Sequence, residues 1–96
     1  VAAVVNNIGG VLRDLGDMDG ARVHYERALA IDEAAYGPDN AMVAIRANNL
    51  GGILQYQGDL EGARSLYERA YETLRVARGE THPATLLAQA NLDSLP

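Results

Sequence analysis

The sequence predicts an all-α fold, a right-handed superhelix of αα-hairpins, on three observations. Asn6–Gly37 lies over Asn48–Gly79 without a gap, an offset of 42 residues, and half of the aligned positions are identical. Apolar residues recur at helical spacing through five segments, with short Gly/Asp-rich turns between them. Turns of two to four residues force consecutive helices to run antiparallel. Self-similarity at this period marks units that cannot bury an apolar face alone and lean on their neighbours. The expected layout is one domain over residues 1–96: a repeat at about 1–40, a second at about 41–82 and a terminal half-repeat helix at about 83–95.

The first helix, about Ala2 to Leu15, places Val5, Ile8, Leu12 and Leu15 on one stripe. Gly16 ends it with a left-handed cap, and Asp17 or Asp19 caps the next helix. That second helix, about Asp19 to Tyr36, turns Ala21, Tyr25, Ala28, Leu29 and Ile31 inward and stops at the turn cluster Gly37-Pro38-Asp39-Asn40. Helices at about Ala41 to Gln57 and Leu60 to Arg78 repeat the pair. Pro83 suits a first helical turn, where its missing N–H is an orphan in any case, and the fifth helix runs to about Ser94.

Small residues set how closely the hairpins pack. Gly9 and Gly51 remove a side chain where the second helix of the same unit approaches, and Ala21, Ala28, Ala63 and Ala70 do so from the other side. Tyr25 and Tyr67 fill the volume between successive units. Gly10, Gly52, Gly20 and Gly62 each cost about 1 kcal/mol against Ala inside a helix, so their recurrence points to tight packing or to a needed bare backbone.

Ninety-six residues make one small domain, and no apolar run approaches the roughly 18 residues of a membrane span. The chain begins at Val1 inside a helical pattern and reads as an excised piece of a longer protein. There is no cysteine, which removes disulfides and thiol chemistry and is compatible with a cytoplasmic setting. The net charge is −5, every basic residue is Arg, and the Arg residues are interleaved with carboxylates. Nucleic acid and anionic membrane both require a concentrated positive patch, so neither is an expected partner.

No group of residues carries chemistry. Arg22/Glu26 and Arg64/Glu68 have the four-residue spacing of surface ion pairs. Ser65 and Ser94 lack a His-Asp context, so no catalytic residue, metal site or cofactor is expected. His82 reads as the cap of the fifth helix, with Asn40 in that role one unit earlier, and His24 as a half-exposed side chain. Tyr71 is expected to be partly buried and Tyr36 to sit near the loop.

The pattern Asn7-Ile8-Gly9, Leu12, Gly16-Asp17, Ala21, Tyr25, Ala28 resembles the tetratricopeptide repeat. The 42-residue period, Asn48-Asn49-Leu50 and the loop Gly79-Glu80-Thr81-His82-Pro83 are similar to its kinesin-light-chain type. The first loop departs from that pattern, with Asn40 and Ala41 where His and Pro are expected. The resemblance implies a scaffold or regulatory module that binds a peptide or partner helix in a concave groove lined by the first helix of each repeat. The matched groove positions are Asn6, Asn7, Gly10 and Arg13, then Asn48, Asn49, Gly52, Gln55 and Tyr56, then Asn91. An Asn amide both donates and accepts, so it can pair with a peptide backbone of any sequence. One Asn of each pair can instead bond between repeats. A cationic clamp for a C-terminal carboxylate is not expected, since Lys is absent.

Asp93 stands where Gly9 and Gly51 stand in the full units, which makes the last helix a cap, with Leu86, Leu87 and Leu92 covering the final hairpin. The alternative is an open end that pairs with a second copy, giving a homodimer through the C-terminal helix or end-to-end stacking without a separate ligand.

Overall fold

A computed structural model describes residues 1–96. Five helices succeed one another with no strand: α1 (Ala2–Asp14), α2 (Met18–Tyr36), α3 (Ala41–Tyr56), α4 (Leu60–Arg78) and α5 (Pro83–Asp93). Each packs chiefly on its neighbours in sequence, forming an all-α helical-repeat stack of 33 × 33 × 20 Å.

The helix ends obey local chemistry. After α1 the amides of Gly16 and Asp17 bond back to the carbonyls of Arg13 and Leu12, at 2.9 and 2.8 Å, and Gly16 adopts φ +86°. That is a Schellman closure, which needs a residue free to take positive φ. Gly58 and Asp59 repeat it after α3. Asp17 and Asp59 then cap the second helices, each carboxylate accepting from the amide three residues on at 2.9 Å. Asn40 Oδ1 accepts from the Met42 amide and His82 Nδ1 from the Ala84 amide, so both cap as the sequence predicts.

Gly9 and Gly51 are contact points within each hairpin. A Cβ on Gly9 would sit 2.7 Å from the Tyr25 ring, and one on Gly51 would sit 2.6 Å from that of Tyr67. Tyr25 extends on to Leu50 and Ile53 of the next unit, and Tyr67 packs with Leu54 of its own hairpin and with Leu95 beyond α5. Gly20 and Gly62 stay bare for another reason: a Cβ there would collide with the capping carboxylate of Asp17 or Asp59. Gly10 and Gly52 meet no such crowding.

Four expectations need correction. On α1, Ile8 and Leu15 are exposed; its buried residues are Ala2, Val5 and Gly9, which face α2. On α5, Leu86 and Leu87 are exposed, and Thr85, Ala88 and Leu95 cover the last hairpin, with Leu92 half-buried. On α2, Leu29 and Ile31 are only half-buried, whereas Asp32 is buried and receives Arg46 Nε at 3.0 Å. Arg22 does pair with Glu26, but Arg64 reaches the Pro96 carbonyl instead of Glu68. His24 is half-buried against the Gly20 carbonyl, Tyr71 is half-buried, and Tyr36 is exposed.

Candidate functional site

The first helices of the units place a row of amides along one side of the stack. Asn49 Nδ2 donates to Asn6 Oδ1 at 3.4 Å, and Asn91 Nδ2 donates to Asn48 Oδ1 at 3.1 Å. The second Asn of one unit thus meets the first Asn of the unit before it. Each bond uses one donor and one acceptor, and an amide has two donors and two lone pairs, so every member keeps capacity for a further partner. Asn48 is buried and serves the floor of the row; Asn6, Asn49 and Asn91 are half-buried and Asn7 is exposed.

Two clefts open beside this row. One, of about 370 Å³, is lined by Asn6, Asn7, Gly10, Arg13 and Asn49, together with Val11, Asp14 and Tyr25. The other, of about 230 Å³, is lined by Arg13, Asn48, Asn49, Gly52, Tyr56 and Asn91, together with Met18, Ile53, Tyr67 and Leu87. They share Arg13 and Asn49. Nine of the ten groove residues expected from the sequence line one cleft or both. Gln55 lines neither. Its Oε1 accepts the Tyr67 hydroxyl at 2.8 Å and its Nε2 donates to Ser94 Oγ at 3.2 Å, so both ends of its amide are engaged internally.

The two tyrosines carry more than packing. Each ring passes beneath the glycine of its own hairpin and delivers its hydroxyl to the adjacent one: a Cβ on Gly10 would lie 3.6 Å from Tyr25 Oη, and one on Gly52 would lie 3.7 Å from Tyr67 Oη. Burial raises the pKa of the Tyr67 hydroxyl above its ordinary value, which keeps it a neutral donor. The repeated spacing Gly10–Tyr25 and Gly52–Tyr67 was the available signal for this role. Met18, Ile53 and Leu87, missed as lining residues, give the smaller cleft its apolar wall.

Charge in the groove is modest. Arg13 lies 3.2 Å from Asp14, an exposed pair worth little. No three His, Cys, Asp or Glu side chains converge in the arrangement a metal ion requires, and no helix is long and apolar enough to cross a membrane. The arrangement can present hydrogen-bonding groups and two shallow clefts to an elongated ligand.

Comparison with known proteins gives a consistent picture. A family model described as tetratricopeptide repeat matches residues 1–75 and 44–92. The crystal structure of BtubC (BKLC) from P. vanneervenii is similar at a TM-score of 0.90 and 28% identity, over 98% of this chain and 37% of that one. The chain therefore spans little more than a third of that protein's length. No curated protein matches.

Proposed function

The chain belongs to the tetratricopeptide-repeat family, in its kinesin-light-chain-like form, and from that premise we propose that it binds an extended segment of a protein partner along the clefts of α1, α3 and α5. Repeats of this family generally mediate protein–protein interaction. The observation that carries the finer reading is the alignment of Asn6, Asn49 and Asn91 beside two clefts that Gly10 and Gly52 leave free of side chains. Asn side chains can donate to and accept from a peptide main chain, which supplies affinity without sequence preference, and the bare glycines let that chain approach closely. The apolar wall of the smaller cleft then selects one hydrophobic side chain, and Arg13 and Tyr56 at its rim add contacts of the kind that dominate interfaces.

The mechanism is preorganisation. Inter-unit amide bonds and buried tyrosines fix the recognising groups before the ligand arrives, so ordering costs fall on the peptide alone. No catalytic step, metal or cofactor enters this reading. Residues 1–96 act in it as a single binding domain of a larger scaffold or regulatory protein, in the cytoplasmic setting with which a cysteine-free chain is compatible.

Selection from a random peptide library displayed against the chain, followed by calorimetry, tests the proposal. Selected peptides are expected to lose about tenfold or more in affinity with Asn49→Ala or Gly52→Val, helical content being unchanged. Binders indifferent to both substitutions, yet lost when Arg27 or Glu68 on the second helices is replaced, would place recognition on the opposite surface.

A further inference from the structure

The two clefts are the same place in successive units. With one exception, every residue lining the larger cleft has its counterpart, 42 positions on, lining the smaller one. The exception is Arg13, whose counterpart is Gln55. Gln55 stands outside the smaller cleft because its amide is anchored at both ends, accepting from Tyr67 Oη at 2.8 Å and donating to Ser94 Oγ at 3.2 Å.

Nothing does this for Tyr25. An Arg side chain has no acceptor to offer a phenol, and Arg13 turns to Asp14 instead, its Nε donating to Oδ1 at 3.2 Å. Ser94 has no equivalent in the first unit either, since its counterpart is Gly52. Tyr25 is 2% exposed, yet its hydroxyl makes no hydrogen bond within the chain and opens onto the larger cleft beside Gly10. A buried ring holds one free donor at a fixed point on the cleft floor.

The second unit shows which group fits that donor: a neutral carboxamide, with its oxygen on the phenol. In the first unit a carboxamide can come only from outside. Asn6, Asn7 and Asn49 line the same cleft, and their side-chain oxygens can accept from its nitrogen. A carboxylate accepts the phenol's hydrogen but has none to give to those oxygens, and it would meet Asp14 on a chain of net charge −5. An apolar side chain would cover the hydroxyl and leave it without a partner, which is how a polar site rejects an analogue that cannot pair.

We propose that Tyr25 is a specificity-determining residue of the groove, and that its hydroxyl selects a glutamine or asparagine side chain of the bound peptide in the larger cleft. This role rests on the peptide-binding reading of the groove given above.

Two measurements test it. Without any ligand, Tyr25→Phe should leave Tm unchanged, whereas Tyr67→Phe, which loses the bond to Gln55, should lower it by about 4–8 °C. Equal losses would mean that the Tyr25 hydroxyl has a partner inside the chain, and would overturn the proposal. In a selection from a random peptide library, binders should carry Gln or Asn at one recurrent position. Replacing that residue by Met should weaken binding about five- to tenfold with the parent chain and less than about twofold with Tyr25→Phe. Arg13→Gln, which supplies the amide internally, should abolish the preference as well, whereas Arg13→Ala should keep it. Binders that prefer Glu or Asp at that position, or that ignore Tyr25→Phe, overturn this proposal and leave the groove reading in place. A library that yields no binder overturns both.

Discussion

Adjacent glycines on α3 should respond to the same substitution with opposite signs. A Cβ on Gly51 would sit 2.6 and 2.8 Å from Tyr67 Cε1 and Cδ1, and that ring is 1% exposed, with no direction in which to retreat. Ordinary contact requires about 1 Å more, and overpacking of this kind costs about 1–3 kcal/mol. The added Ala recovers about 1 kcal/mol of helix propensity, so Gly51→Ala is expected to destabilise by about 1 kcal/mol. A Cβ on Gly52 would meet only Tyr67 Oη at 3.7 Å, ordinary van der Waals distance. Gly52→Ala therefore keeps the propensity gain and stabilises by about 1 kcal/mol. The propensity contribution is common to both variants, so the difference between them reports the packing cost alone. At about 4–8 °C per kcal/mol for a domain of this size, their melting temperatures should differ by about 5–20 °C, with the parent between them. Thermal unfolding monitored by circular dichroism reads this directly, and Gly9→Ala with Gly10→Ala repeats the experiment against Tyr25. Equal melting temperatures for the Gly51 and Gly52 variants would refute the packing argument. Under the groove reading, Gly52→Ala also weakens peptide binding while it strengthens the fold.

Buried polar groups give three further outcomes. Thr85 Oγ1 is buried without a hydrogen-bond partner at the register of Val43, so Thr85→Val should raise stability by about 1 kcal/mol, measured by urea denaturation. Arg46→Ala leaves the Asp32 carboxylate buried without its cation and should cost about 3–5 kcal/mol; the double variant Asp32→Leu/Arg46→Ala, which copies Leu74 and Ala88, should recover most of that loss. Burial raises the Tyr67 hydroxyl pKa above its ordinary 10.0, so folding favours the neutral phenol: the associated stability is complete below pH 10 and is lost as pH rises further. In denaturation series across alkaline pH, Tyr67→Phe should give a shallower decline while losing the bond to Gln55 at neutral pH.

The helix order, turns and caps were legible because local chemistry determines them. Asn40 and His82 needed only their own neighbours in sequence to be recognised as caps, and the structure selects Asp17 from the pair Asp17 and Asp19. Which apolar face is buried was less legible, since periodicity finds a stripe but not whether anything lies against it. Ile8 and Leu50 occupy the same register, and of the two only Leu50 packs against α2. On α5 a Thr and an Ala outrank two leucines, because Leu74 already fills the space over Ala88 and leaves room for small partners only. Nine cleft-lining residues were expected from the matched repeat positions, while the tyrosine hydroxyls were not: their rings belong to the core and only their tips reach the cleft. Consecutive glycines carry no sequence mark that separates the crowded one from the open one.

The pairing of Asp32 with Arg46 and of Leu74 with Ala88 also bears on why two near-identical hairpins stack in one order. A desolvated ion pair adds little net stability over an apolar pair of similar volume, but separating its members is expensive. Had α4 taken the place of α2 on α3, Leu74 would face Arg46; had α2 taken the place of α4 on α5, Asp32 would face Ala88. Each exchange strands a charge that the native order satisfies, at a cost of about 3–5 kcal/mol, comparable to the whole stability of many small domains. Other contacts of the two interfaces are alike, Ala21 and Tyr25 in one matching Ala63 and Tyr67 in the other, whereas Gln57 meets Asp19 and Arg22 in the first interface alone. In a fold made of repeated parts, the residues that break the repeat are the ones that identify each part's neighbour.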